Sequence, residues 1–409
     1  MQQIEGGVAA AKGFMAAAAA GEIKYKGRTD LALVYSAVPC VCAGTFTTNV
    51  VKAACVQRDM QIVQSKEKVH AVVLNSGIAN AMTGKEGEEI DLAFAKAMAD
   101  ELGIKAEEVL TASTGVIGVQ LPVEKLVKGA ALLKKDLEAG KDAAKRAAKA
   151  IMTTDTVPKE YSVEVSISGK VVHIGGMAKG SGMIHPNMAT MLSVITTDAV
   201  VERDALQEML KEIVADTFNM ISVDRDTSTN DTLLVLANGK AQNACILSYK
   251  KDTDYFLFYQ ALQTVCEELA KKMAADGEGA NRLIETQVLH AKSKEDARKL
   301  AKSVITSNLV KTAVFGSDAN WGRIFCAMGY SGAEFEPNQV DLSIEGEEKS
   351  LLLVKNGLAT EYSEEIATEL LSGPVVRIVA DMKEGEEQAR AWGCDLSYDY
   401  VKINGDYRS

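Results

Sequence analysis

Thr190 stands where a glycine-rich stretch meets an apolar one, a place well suited to a nucleophile. Upstream, Gly175, Gly176, Gly180 and Gly182 surround Lys179 and lead through His185-Pro186, a backbone able to make turns and close approaches. Downstream, Met191-Leu192-Ser193-Val194-Ile195-Thr196-Thr197 is apolar and β-branched, and reads as a strand buried inside a domain. A hydroxyl attacks poorly until a base removes its proton, and the free amine of an N-terminal threonine is one such base. Thr190 is internal, so that amine would appear only if the Ala189–Thr190 bond broke, by attack of the Thr190 hydroxyl on the small, unobstructed Ala189. The released α-amine would have a reference pKa of about 7.7–8.0, suited to general-base work near neutrality. The threonine β-methyl would hold the hydroxyl in few rotamers. The plain alternative is a threonine that merely begins a strand.

Acyl transfer through such a hydroxyl also needs donors for an oxyanion and groups that grip substrate. The turn Ser113-Thr114-Gly115 is small, polar and glycine-ended, so a hydroxyl and a backbone N–H can converge there on one oxygen, although an ordinary turn would look the same. Asn404 and Ser409 carry short polar groups suited to an amino-acid carboxylate or amine, and Asn404-Gly405 predicts a tight turn folding the tail back over the site. Taken alone, Lys179 reads as a solvated lysine, Thr153 as a helix cap and Glu278 as an exposed turn acid. Of the four histidines, only His185 is beside Thr190, and Pro186 gives it a turn role.

The net charge of −11, with no dense basic block, argues against a nucleic-acid partner and for small molecules. Seven scattered cysteines suit a reduced, cytosolic protein rather than a disulfide framework, and Cys40, Cys42 and Cys55 lack the fourth ligand of a metal site. No signal peptide or membrane-length apolar run is present, and the glycine spacings miss both dinucleotide and phosphate-loop patterns. No metal, cofactor or membrane partner is expected.

The elements that must position these residues are legible in part. Strands are expected at 31–38, 44–56, 69–74 and 191–197, and a hairpin at 162–174 turning at Gly169 leads into the Thr190 loop. Helices are expected at 87–102, 123–133, 141–152, 202–218 and 254–276. Beyond Glu278 strands are expected at 283–291, 339–344, 351–354 and 375–380, with helices at 294–307 and 363–371. Runs of strands and helices segregate, which favours α+β layers over a doubly wound sheet.

Lys179-Gly180-Ser181-Gly182-Met183-Ile184 followed by Pro186-Asn187-Met188-Ala189-Thr190-Met191-Leu192 closely resembles the cleavage-site signature of the ornithine acetyltransferase family, the self-cleaving glutamate N-acetyltransferases of arginine biosynthesis. Collinear matches extend from Gly6-Gly7-Val8 through Asn75–Ala81, Ser113–Gly118, Met152–Thr156 and Asp276–Ala280 to Asn404–Ser409. The resemblance implies a four-layer αββα sandwich similar to the N-terminal-nucleophile hydrolases over residues 1–284, cut between Ala189 and Thr190, and a C-terminal α/β domain over 285–409. It implies Thr190 as nucleophile, Thr114 and Gly115 as oxyanion hole, and Thr153, Lys179, Thr190, Glu278, Asn404 and Ser409 as substrate contacts. The substrates would be N2-acetylornithine and glutamate, and the assembly a heterotetramer of two cleaved chain pairs in the cytoplasm. Whether acetyl-CoA is a second donor, as in bifunctional members, stays open. A self-activating Thr aminopeptidase or amidase, which passes the acyl group to water, is the nearest alternative.

Overall fold

The computed structural model describes residues 1–185, 191–347 and 349–406. Ala189, Thr190 and Ser409 therefore lie outside the described residues. Nine strands of the described residues form one sheet, and the long strand Leu31–Phe46 belongs to both of its halves. Its residues Val41–Phe46 pair with Thr232–Ala237, whereas Leu31–Tyr35 pair with Val69–Ile78 on one side and Phe14–Ala19 on the other. Between those segments the register shifts around Pro39, which has no N–H to give to a ladder and is at home at such an irregularity.

The sheet's two halves face one another across an apolar interior. Successive side chains on a strand point to opposite faces, so a strand covered on both sides reads as a continuous apolar run. In Leu31-Ala32-Leu33-Val34, Ala32 and Val34 join Leu74, Met177, Leu192, Val194, Leu234 and Leu236 between the halves. Leu31 and Leu33 face the other way, onto Phe94 and Met98 of helix Gly84–Leu102 and Leu126 and Leu133 of helix Val123–Asp136. On the far side Leu233, Val235 and Ile195 meet Leu206 and Leu210 of helix Arg203–Asp216 and Leu262 and Leu269 of helix Thr253–Ala275. Helix, sheet, sheet and helix follow in that order, the expected four-layer αββα sandwich. Ala143, Ala144, Ala147 and Ala148 of helix Lys141–Ala150 slot into the inter-sheet core, where larger side chains would have no room.

A second, seven-stranded sheet is built mainly from the C-terminal part of the chain, with helix Lys294–Thr306 against its strands Leu283–Ala291 and Glu387–Cys394. The strand Leu283–Ala291 spans the expected boundary at residue 284, and Ile221–Ser222 also pairs into this sheet, beside Trp392-Gly393. No helix of the described residues is long and apolar enough to cross a membrane, and all seven cysteines are free thiols.

Two local expectations are corrected, and two strands appear that the sequence reading did not expect. The strand expected at 44–56 ends at Phe46, and Ala54–Ser65 is a helix, because Cys55, Asp59 and Val63 recur at four-residue spacing and bury one face. The alanines of Phe14–Ala19 form a strand, and Glu387–Cys394 is a strand with no counterpart in the sequence reading. The tail makes no turn at Asn404-Gly405; Tyr398–Asp406 is a helix. Its backbone lies on Gly279, where a Cβ would stand 2.5 Å from the Tyr400 nitrogen, so packing overrides the local turn preference.

One buried ion network fastens the layers together. Lys159 has no exposed side-chain surface, and its ammonium lies 2.6 Å from Asp155 and 2.5 Å from Asp276. Asp155 Oδ1 also accepts from the Gly180 N–H at 2.7 Å and its Oδ2 from the Thr153 N–H at 3.0 Å, while Asp276 accepts from the Thr156 N–H. Removing one partner of a buried ion pair leaves an uncompensated charge. We expect Lys159→Met to lose about 3–5 kcal/mol of stability, read as a lowered urea midpoint, because two buried carboxylates lose their cation. An unchanged midpoint would show the network to be dispensable.

Candidate active site

Strand Leu192–Thr197 lies between two neighbours that frame its first residue. Lys179 is directly opposite Leu192 in antiparallel strand Lys170–Lys179, and Thr232 is opposite it in parallel strand Thr232–Ala237. The hairpin preceding it is the expected one, Lys159–Ile167 joined to Lys170–Lys179 through Ser168-Gly169. From the other half of the sheet, Val109–Val116 brings Ser113, Thr114 and Gly115 to the same end.

These ends enclose a cavity of about 150 Å³. Six residues singled out in the sequence line it: Thr114, Gly115, Thr153, Lys179, Glu278 and Asn404. Met191, which follows Thr190 in the chain, lines it as well. Thr190, Ala189 and Ser409 lie outside the described residues. His185 is not among the lining residues; its Nδ1 is 3.0 Å from the Ser222 hydroxyl, and burial, with Lys302 and Arg225 nearby, pulls its imidazole down to about 4. A neutral imidazole in that role fits the turn reading better than acid–base work.

Lys179 is not the solvated lysine that its sequence neighbours suggest. It is 8% exposed, and its ammonium donates to the Thr114 hydroxyl at 3.3 Å. Burial pushes its pKa down, while Asp155, Asp231 and Glu278 act in the opposite direction. Burial would raise the Asp155 carboxyl, but Lys179, Lys159 and the Gly180 N–H outweigh it and hold Asp155 at about 2. The Asp155 carboxylate thus works against the loss of charge that burial imposes on the lysine.

Thr114 and Gly115 occupy a constrained turn. A bulge interrupts the ladder between Gly77 and Ile78, opposite Thr114–Gly115. Gly115 has φ +133°, and a Cβ there would be 2.2 Å from the Gly77 carbonyl carbon, so only glycine fits. Such a bulge re-aims hydrogen-bonding groups away from the ladder. The Glu278 carboxylate, also in the cavity lining, accepts from the Asn404 amide at 2.8 Å and packs onto Gly182, where a Cβ would be 2.3 Å away. The Glu278 N–H is anchored on the Ser181 carbonyl at 2.8 Å. The cavity lining therefore combines a lysine beside a hydroxyl and a glycine with a carboxylate bonded to an amide. That pattern matches the carboxylate and ammonium of an amino acid.

Sequence reasoning missed the polar run Ser228-Thr229-Asn230-Asp231, all four of which line the cavity. Asn230 donates to the Ala79 carbonyl at 2.6 Å and to the Ser113 carbonyl at 2.8 Å, tying the two halves of the sheet beneath Thr114. The available signal was four consecutive polar residues directly before the strand Thr232–Ala237, which pairs with the strand that follows Thr190.

Comparison with known proteins places this site in context. The model of the ArgJ family matches residues 15–409. The chain is 52% identical over 396 residues to the arginine biosynthesis bifunctional protein ArgJ 1 of Clostridium acetobutylicum, covering 97% of this chain and 96% of that one. It is 50% identical over 400 residues to the arginine biosynthesis bifunctional protein ArgJ of Thermotoga neapolitana, covering 97% and 99%. Among solved structures, the argJ protein of Bacillus halodurans is 45% identical, covers 52% of this chain and 97% of its own, and superposes with a TM-score of 0.49. The ornithine acetyltransferase of Mycobacterium tuberculosis, complexed with ornithine, is 41% identical with coverage of 46% and 96% and a TM-score of 0.42. On a match that runs almost from end to end and on identities near one half, the chain belongs to the ArgJ family.

Proposed function

We propose that this chain transfers the acetyl group of N2-acetylornithine to glutamate through an acetyl ester on Thr190, within arginine biosynthesis. The observation that carries the reading is the buried Lys179 side chain held on the Thr114 hydroxyl, in a cavity that Glu278 and Asn404 also line. Donor and acceptor are both α-amino acids, so one cation for the α-carboxylate can serve each in turn. The family membership and the names of its relatives support the same substrates.

The reaction follows from those groups. The Thr190 hydroxyl attacks the Ala189 carbonyl, the peptide nitrogen leaves as an amine, and water hydrolyses the resulting ester, yielding chains 1–189 and 190–409. The freed amine then takes the Thr190 hydroxyl proton as the oxygen attacks the acetyl carbon of acetylornithine. The oxyanion is met by the Thr114 hydroxyl and the Gly115 N–H. Collapse expels ornithine, whose α-amine regains the proton, and leaves acetyl-Thr190. The glutamate amine attacks this ester in a second, equivalent step and departs as N-acetylglutamate, restoring the hydroxyl. Thr153, near the Lys179 wall, and Ser409, at the end of the tail, complete the substrate contacts. No cofactor takes part; acetyl-CoA, where accepted, would enter as an alternative donor to the same threonine.

The purified chain is expected as two fragments, the second beginning at Thr190, by N-terminal sequencing. Thr190→Ala is expected to stay whole and to transfer no labelled acetyl group from acetylornithine to glutamate. A fully active unbroken chain would refute the reading.

Thr114→Ala is expected to lower kcat by on the order of 10²–10³ while changing KM little, because an oxyanion donor acts mainly in the transition state. A change confined to KM would make Thr114 a substrate contact instead.

A further inference from the structure

Asp231 is the least explained polar group in the cavity wall. It is 3% exposed, it lines the cavity, and its Oδ2 is buried with no hydrogen-bond partner among the described residues. A buried polar atom left unsatisfied costs stability, so its persistence in a cavity calls for a ligand or a partner that forms later. Its position narrows the choice. Asp231 immediately precedes Thr232, which is opposite Leu192, and its carboxyl draws on the backbone N–H of Met191 and the hydroxyls of Ser228 and Thr47. The Asp231 side chain thus addresses the backbone of the residue directly after Thr190.

We propose that Asp231 is the positioning residue that pairs with the α-amine released at Thr190 when the chain is cut, holding that amine as the base of the transfer reaction. The inference rests on the acetyl-Thr190 reading above. Cleavage creates a new cation one residue from Met191, and Asp231 offers the carboxylate next to it. Before the cut, burial raises the Asp231 carboxyl well above the usual range, opposed by Lys179 and the neighbouring hydrogen bonds. Lys179, from strand Lys170–Lys179, is a charged group acting on it, and Glu278, with Asp155, acts in turn on Lys179. After the cut the Asp231 carboxylate pairs with the new ammonium, so that the amine shares the site with Lys179 beside a counter-charge. Neither the hydroxyl attack nor the ester requires Asp231 to exchange a proton; it sets the amine's orientation and basicity, as a carboxylate does for a catalytic histidine.

A carboxylate partner favours the charged amine and raises its pKa, so its removal lowers that pKa. The acidic limb of kcat/KM against pH, which reports the base in the free enzyme, is expected to move to lower pH by at least about one unit in Asp231→Asn. Transfer at pH 7–8 should fall at least about tenfold with KM little changed, and Asp231→Glu should recover part of the limb shift. An acidic limb in its original place, with normal kcat, would overturn the proposal. Should the variants fail to fold, the same quantity is measured on cleaved wild-type protein by reductive ¹³C-methylation and NMR titration of the Thr190 amine. We expect a pKa at or above the free-amine range of about 7.7–8.0 despite burial and Lys179. A value well below that range would overturn the pairing. Mass spectrometry of wild-type protein with acetylornithine separates the two levels: absence of cleavage or of acetyl-Thr190 removes the reading beneath the proposal, whereas their presence with an unshifted limb removes Asp231 alone.

Discussion

Lys159 reaches from the edge of one strand into a place where no water can serve it and holds two carboxylates that belong to different parts of the chain. Asp155 closes the loop that carries Thr153, and through its bond to the Gly180 N–H it also fixes the end of the strand that carries Lys179. Asp276 caps the long helix Thr253–Ala275 and leads directly into Gly277-Glu278-Gly279. One ammonium therefore sets the relative positions of three lining residues that are up to 125 positions apart in sequence. Ion pairs of this kind contribute little net stability over an apolar core of the same shape, but they tolerate few alternative arrangements. Here the placement of the cavity wall is what they secure.

The same carboxylate that holds Lys159 also shapes the electrostatics of the site. Asp155 stays ionised far into acid, so Lys179 has a permanent counter-charge behind it even though burial works against its own charge. Glu278, in the same lining, is held by Asn404 and by the closeness of Gly182. The cavity lining thus offers groups suited to opposite charges, the lysine on the Thr114 hydroxyl and the carboxylate on the Asn404 amide. A zwitterion gains from both only in one orientation, which is how a small site selects a pose without many contacts.

That arrangement depends on the sheet being bent. Strand Leu31–Phe46 serves both halves, and its irregularity at Pro39 lets the second half fold over the first, so that the end of Val109–Val116 reaches the end of Lys170–Lys179. The Lys179–Thr114 and Asn230–Ser113 hydrogen bonds are the seams of this closure. In a flat sheet of the same strand order, Thr114 would be several strands away from Lys179.

Much of this was written locally in the sequence. The strand after Thr190 and the hairpin before it follow from apolar, β-branched runs and a glycine turn, and helices such as Gly84–Leu102 follow from apolar spacing, because each buries a face that its own periodicity defines. Gly182 was legible as a close approach and Gly115 as the end of a small polar turn, and the chain's motifs pointed to Thr114, Lys179 and Glu278. The helix Ala54–Ser65, the alanine strand Phe14–Ala19 and the helical tail were not, since their local preferences are weak and the partner surface decides: a long neighbouring strand for the alanines, the bare Gly279 backbone for the tail. Nor could spacing show that Lys179 is buried, that Lys159 links Asp155 to Asp276, or that Asp231 turns an unsatisfied oxygen into the cavity wall. Charge and burial at those positions are properties of groups brought together from distant strands, and a side chain's environment is fixed only when the fold closes around it.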